Sequence, residues 1–155
     1  MVTLTEVQGL LGHWWYAYDQ GELEVLPDLL TADIHFSCES DTGTTAFEDF
    51  IRCDTRGRDE VMAWQTDHRL DSPYPLRHSG TNIHLTSAEG NEADFASYIV
   101  VTQIVEGAVS PLSTGLVRGT VRREADAVRI SRLRVTLDTQ SSIPLAEHRA
   151  AAAGG

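Results

Sequence analysis

Lysine is absent from this 155-residue chain: all twelve basic residues are arginine, set against 23 acidic ones for a formal charge of −11. Without lysine no Schiff base can form, pyridoxal phosphate has no anchor, and a phosphate-binding P-loop lacks its lysine. Cysteine is almost as scarce. Cys38 and Cys53 make neither a metal pattern nor a disulfide framework, which leads us to expect a reducing, cytoplasmic setting. No apolar run approaches the roughly 18 residues of a membrane span. A basic region followed by an apolar one is also missing at the start, so no signal peptide is expected. The acidic balance argues against a nucleic-acid backbone or an anionic membrane as partner. The late arginines (Arg118, Arg122, Arg123, Arg129, Arg132, Arg134) read as a solvated sheet face that balances acidic helices.

What is present suits a single domain over residues 1–140, followed by a C-terminal tail, 141–155, ending AEHRAAAAGG. Thr3 and Glu6 offer a helix-opening capping box, with Thr5 and Gln8 as a second frame. Leu4, Val7, Leu11, Trp14 and Tyr18 then recur at helical spacing, widened by Leu10 and Trp15, until Gln20-Gly21. A second helix is expected from about Glu22 to Leu30, kinked or delayed by Pro27. A short strand follows at 33–38. A long loop runs to Gly57, with one helical turn near 47–51, and a third helix covers 58–70 with Val61, Trp64 and His68 on one side. Four strands complete the chain: 76–87, 93–105, 114–123 and 128–137. Glu89-Gly90-Asn91 marks a hairpin, and the phase change between Ile130 and Leu133 marks a bulge near Ser131 or Arg132. Helices first and antiparallel strands after define an α+β fold, in which a strongly bent, mostly antiparallel sheet wraps three helices into a cone.

The stretch HWWYAYDQGE, 13–22, places Asp19 four residues after Trp15, at the edge of the apolar stripe. Two readings stand side by side: a carboxylate aimed at a cavity, or an exposed aspartate in an Asp-Gln-Gly turn. His78 is open in the same way, either as Asp19's partner in proton transfer or as a core histidine bonded to backbone. Asn82 shares the strand phase of His78 and reads equally as a holder of a substrate oxygen or as a strand-end amide. Among the tyrosines 16, 18, 74 and 98, Tyr18 is the choice for proton donor because it adjoins Asp19. Trp15, Phe36, Trp64 and Phe95 line either cavity or core. His35, His78 and His84 with Asp19 have the atoms for a metal site but no tight motif, so no metal and no cofactor is expected. His13, His68 and His148 read as surface or packing residues.

The order α-α-β-α-β-β-β-β resembles the nuclear transport factor two-like superfamily, and within it the SnoaL-like and scytalone dehydratase-like branch, over residues 4 to 139. The resemblance is carried by YAYDQGELEVL at 16–26, ADIHF at 32–36, GRDEV at 57–61 and RHSGTN at 77–82. It implies a tyrosine and an aspartate closing the first helix and a histidine opening the first long strand, which Tyr18, Asp19 and His78 match. Phe36 stands where a further tyrosine is expected, and Gln103 is the nearest polar residue to the position of a second histidine.

The fold hosts dehydratases, isomerases, cyclases, epoxide hydrolases and non-catalytic binding domains. The resemblance implies a cofactor-independent lyase or isomerase, of dehydratase or cyclase type, acting on a small, apolar carbonyl compound of polyketide or other secondary-metabolite kind. Asp19, His78 and Tyr18 would be catalytic; Trp15, Phe36, Asn82, Tyr98, Gln103 and Trp64 would contact substrate. The alternative is a ligand-binding or assembly module, including a role like that of a ring-hydroxylating oxygenase small subunit. A homo-oligomer, dimer or trimer, is expected in either case.

Overall fold

A computed structural model describes residues 1–153. The last two residues of the expected tail, 154–155, lie outside the described residues. Helix α1 spans Leu4–Gln20 and opens on the first of the two capping frames. The Thr3 hydroxyl accepts from the Glu6 amide, and the Glu6 carboxylate accepts from the Thr3 amide at 2.9 Å. Gly21, in the left-handed region at φ 73°, closes the helix. From Val7 onward the apolar stripe is buried, and Asp19 is buried with it; Leu4, in the first turn, is exposed.

The expected second helix is much shorter than its hydrophobic spacing suggests. Only Leu26–Leu29 form a single 3-10 turn, and Leu30 already belongs to a strand. Pro27, lacking an amide hydrogen, suits the start of a turn and cannot continue an α-helix across 23–30.

Strand β1 then runs Leu30–Ser40, followed by a one-turn helix α2, Glu48–Ile51, and a short strand β2, Cys53–Arg56. The expected long loop therefore hides a strand. Residues 53–56 are too few and too polar to show a period, and they become a strand by pairing antiparallel with β1, from His35 opposite Arg56 to Cys38 opposite Cys53. Helix α3 spans Arg58–Asp71. Four long strands follow: β3 Leu76–Glu89, β4 Glu92–Val105, β5 Ala108–Glu124 and β6 Ala127–Leu137. A last helix, α4, Leu145–Ala153, buries no residue.

The six strands form one sheet in the order β2-β1-β6-β5-β4-β3, antiparallel except where β1 lies parallel to β6. Helices α1, α2 and α3 pack on the sheet, giving the bent α+β cone. In β6 the extra residue is Ser131, because Val121 faces Ile130 while Thr120 faces Arg132. That single insertion lets Ile130, Leu133, Val135 and Leu137 all turn inward despite their phase change. Strand β5 begins six residues earlier than expected. Its first part pairs only with β4, and Pro111 stands there, where a missing amide hydrogen costs no ladder bond on the β6 side.

Trp14, Phe95, Ile99, Ile130 and Leu133 fill the core. Phe95 lies directly over Gly119 of β5, a position where any Cβ would collide with the Arg132 carbonyl oxygen. On the outer sheet face the arginines are balanced mainly by acids of the strands and their flanks, not of the helices. Arg122 meets Asp33 at 2.7 Å, Arg134 meets Glu39 at 2.7 Å and Arg132 meets Asp94 at 3.4 Å. Arg123 reaches helix α1, pairing with Glu6 at 2.6 Å. Among the described residues no helix is long and apolar enough to cross a membrane.

Candidate active site

At the C-terminal end of α1 the Asp19 carboxylate is 4 % exposed and turned toward β3. One oxygen accepts from the His78 ring at Nδ1, 2.6 Å away; the other accepts from the His78 backbone amide at 2.7 Å. A carboxylate at Nδ1 holds the proton on that nitrogen and leaves Nε2 with its lone pair. The ring is also fixed in plane, for Trp15, one helical turn before Asp19, stacks on it with centroids 5.0 Å apart and planes 10° from parallel.

The main chain around Asp19 is held from a third element. Arg69 of α3, buried, donates through Nε to the Tyr18 carbonyl at 2.9 Å and through Nη2 to the Asp19 carbonyl at 2.8 Å. Its remaining nitrogen reaches the carbonyls of Ser72 and Pro73. The Tyr18 and Asp19 carbonyls lie at a helix end, where the Gly21 amide reaches only that of Tyr18 (3.1 Å), so one guanidinium completes the cap of α1 and ties it to α3.

His78 faces a cavity of about 260 Å³ between α1, α3, the α2 turn and the inner sheet face, open where Phe47, Phe50 and Leu112 are exposed. Trp15, Tyr18, Phe36 and Trp64 line it. So do Ile99, Val101, Val135 and Leu137, which make the wall largely apolar. Asp19 itself lies behind His78 and does not line the space. Cys38 does, and burial pushes its thiol up to about 12.

Three of the residues chosen from sequence to contact a ligand stand elsewhere. Asn82 and Tyr98 lie on the outer sheet face, and Tyr98 is 54 % exposed. Asn82 is displaced by a bulge. Thr81 pairs with Tyr98 but His84 pairs with Ala96, and Asn82 takes a left-handed φ of 56° between them. Beyond that insertion the phase reverses, so Ile83 packs on the core and Asn82 and His84 point out. Tyr98 falls on the outward phase of β4, between the buried Ser97 and Ile99. Gln103, half-buried at the far end of β4, also does not line the cavity. Tyr16 and Tyr74, the other tyrosines considered as donors, are exposed. The histidines weighed for a metal are dispersed: His35 pairs with Asp54 at 2.7 Å and His84 with the Asn82 carbonyl at 3.0 Å.

His68 was read from sequence as a surface or packing residue, and it lines the cavity instead. Its Nδ1 lies 2.6 Å from the Tyr18 hydroxyl, and its ring stacks on Trp64 (4.6 Å) and Phe50 (4.5 Å). Burial, reinforced by His78, brings its pKa down from 6.5 to about 4. Burial also raises Tyr18, so the phenol keeps its proton. The sequence held a signal for His68: it follows Trp64 by four residues and Val61 by seven, on the inward face of α3. Gln65 and Arg69, also missed, are buried on the same helix.

The SnoaL-like domain family matches residues 3–134. Among solved structures, an NTF2-like protein with a cystatin-like fold from Novosphingobium aromaticivorans is similar at 21% identity and a TM-score of 0.71, covering 89% of this chain and 83% of that one. The β subunit of benzoate 1,2-dioxygenase from Burkholderia mallei is similar at 19% identity and 0.68, covering 94% and 97%. ActVI-ORFA from Streptomyces coelicolor is similar at 20% identity and 0.69, covering 86% and 95%. No protein with a curated description matches the sequence. The likeness to these structures is one of fold, and the match over residues 3–134 adds the family: this chain belongs to the SnoaL-like domains.

Proposed function

We propose that this protein is a cofactor-independent lyase or isomerase, of dehydratase or cyclase type, acting on a small, largely apolar carbonyl compound. The observation that carries this reading is the Asp19–His78 pair, closed off from behind and facing an apolar cavity with its free ring nitrogen. His78 Nε2 takes a proton from the carbon next to the substrate carbonyl. The imidazolium that forms is stabilised by Asp19. The electron pair of the broken C–H bond moves to the carbonyl oxygen, where the Tyr18 hydroxyl supports the developing charge. The imidazolium, whose proton exchanges with solvent, then delivers a proton, either to a departing hydroxyl, which leaves as water, or to a carbon, which shifts the double bond or restores the ketone. Trp15, Phe36 and Trp64 keep bulk water from the enolate.

Carbon deprotonation can be followed without knowing the natural substrate. In D2O the protein is expected to speed deuterium uptake into 2-tetralone beside its carbonyl. Asp19→Asn and His78→Gln are expected to cut that rate about 10²–10⁴-fold with unchanged circular dichroism. Undiminished exchange in both variants would end this reading.

A second reading, a non-catalytic assembly module, is favoured by the outer sheet face. Tyr98 and Leu116, directly opposed on β4 and β5, are 54 % and 40 % exposed there beside Arg118. The fold likeness to a dioxygenase β subunit points the same way. The proposed homo-oligomer, a dimer or trimer, would use this face. The assembly reading expects co-purification with a larger iron-containing partner, whereas the enzyme reading expects exchange activity from the chain alone.

A further inference from the structure

The Tyr18–His68 hydrogen bond can run in either direction, and its surroundings decide which. His68 has Trp64 and Phe50 stacked against its ring and Tyr18 at Nδ1. Its remaining polar atom, Nε2, is buried with no hydrogen-bond partner among the described residues. If Tyr18 donated to Nδ1, the imidazole proton would have to sit on Nε2, as an orphaned N–H within an aromatic wall. Orphaned buried donors are rarer in folded proteins than under-satisfied acceptors, and an unmade bond costs its full desolvation. With the proton on Nδ1 instead, the ring donates to the Tyr18 oxygen and Nε2 keeps only a lone pair. The Tyr18 oxygen then accepts, and since the neighbouring Ser72 hydroxyl spends its own proton on the His68 carbonyl at 2.6 Å, the Tyr18 proton turns into the cavity that both side chains line.

We propose that His68 is a positioning residue: as the Nδ1–H tautomer it donates to the Tyr18 hydroxyl and so aims the tyrosine's proton at an acceptor oxygen of the ligand. This deepens the proposed lyase or isomerase reading and rests on it for the identity of the base. The Tyr18 and His78 rings meet edge to face with centroids 5.4 Å apart, so donor and base share one stretch of wall. A ligand whose carbonyl oxygen meets Tyr18 therefore brings the adjacent carbon toward His78. The favoured class is a flat, apolar ketone, which accepts at oxygen and stacks against the aromatic wall; an apolar ring without that oxygen gains only the stacking. The low pKa of His68 and the raised one of Tyr18 agree, since a neutral imidazole beside an intact phenol passes no proton along the bond.

Two measurements test this. Nitrogen-15 NMR of the resting protein reads the His68 tautomer directly. A proton on Nδ1 is expected, and a proton on Nε2 overturns the inference. Binding is then compared for 1-tetralone and for naphthalene, followed by quenching of tryptophan fluorescence. The ketone is expected to be preferred about tenfold, the worth of one hydrogen bond. That preference is expected to vanish in Tyr18→Phe and in His68→Phe, which keeps the stack and loses the donor. It is expected to survive in His68→Asn, whose amide presents an N–H close to the Nδ1 position. No preference in the unaltered protein, or a preference intact in His68→Phe, overturns it as well. The tautomer needs no turnover to be seen. A proton on Nε2 therefore defeats this inference and leaves the Asp19–His78 reaction standing, while exchange indifferent to Asp19 and His78 defeats that reaction and leaves the tautomer standing.

Discussion

Arg69 and Asp19, fifty residues apart in sequence, are joined by a buried hydrogen bond of 2.8 Å from the guanidinium to the aspartate's main-chain carbonyl. The side chain of Asp19 meanwhile reaches the other way, to His78. The carboxylate is thus held by its own backbone: α3 fixes the end of α1, and the end of α1 fixes the imidazole.

Replacing Arg69 by methionine keeps much of the aliphatic stem and removes every one of these donors. The Asp19 carbonyl then loses its buried partner, and the Tyr18 carbonyl keeps only the Gly21 amide at 3.1 Å. Unfolding in urea is expected to show a loss of about 3 kcal/mol. In the variant that folds at low temperature, deuterium exchange into 2-tetralone is expected to fall as well, because Asp19 loses its anchor. A stability within experimental error of the parent would show that the guanidinium is not what holds the helix end.

His68 makes stability depend on pH. Free in an unfolded chain, a histidine takes its proton near 6.5, whereas in the folded protein it does so only near 4. Between those values the unfolded chain binds the extra proton, so acid favours unfolding. The contribution is complete above pH 6.5 and fades as pH falls toward 4. Glu6, held down to about 2 chiefly by its hydrogen bond from Arg123, adds a loss of its own only below 4.5. Urea midpoints at about pH 7 and about pH 5 therefore isolate the histidine. The drop between them is expected to shrink in His68→Phe; an equal drop in both proteins would assign it to another group.

The contact between Phe95 and Gly119 sets a steric limit deep in the sheet. A methyl group at position 119 would lie 2.7 Å from the Phe95 ring and collide with the Arg132 carbonyl oxygen. Gly119→Ala is expected to cost about 1–3 kcal/mol, from overpacking that neither strand can relieve without moving. Pairing it with Phe95→Leu is expected to recover part of that loss, and strictly additive effects would contradict direct contact.

The sequence reads best where a pattern is local and physical. The capping box and apolar stripe of α1, the inward face of α3, the Gly90-Asn91 turn and the slip at Ser131 each depend on neighbours within a few residues. It reads worst where a partner decides. Strand β2 exists because β1 is beside it. Pro27 outweighs the leucine spacing that suggested a helix. At Asn82 a counted alternation fails because one extra residue in β3 reverses the phase from there to Leu85.

Of the candidate site, the sequence by itself determined the components: Asp19 closing an apolar helix, His78 opening a strand, Tyr18 and the aromatic residues at Trp15, Phe36 and Trp64, and the lack of any lysine chemistry. Only the tertiary structure decided that Asp19 stands behind His78, that His68 leaves the packing class to meet Tyr18, and that Asn82 and Tyr98 face outward. The reason is that spacing along a helix or strand fixes which face a residue takes. Which faces then meet is set by the register and crossing of elements fifty or more residues apart, and no local periodicity encodes that.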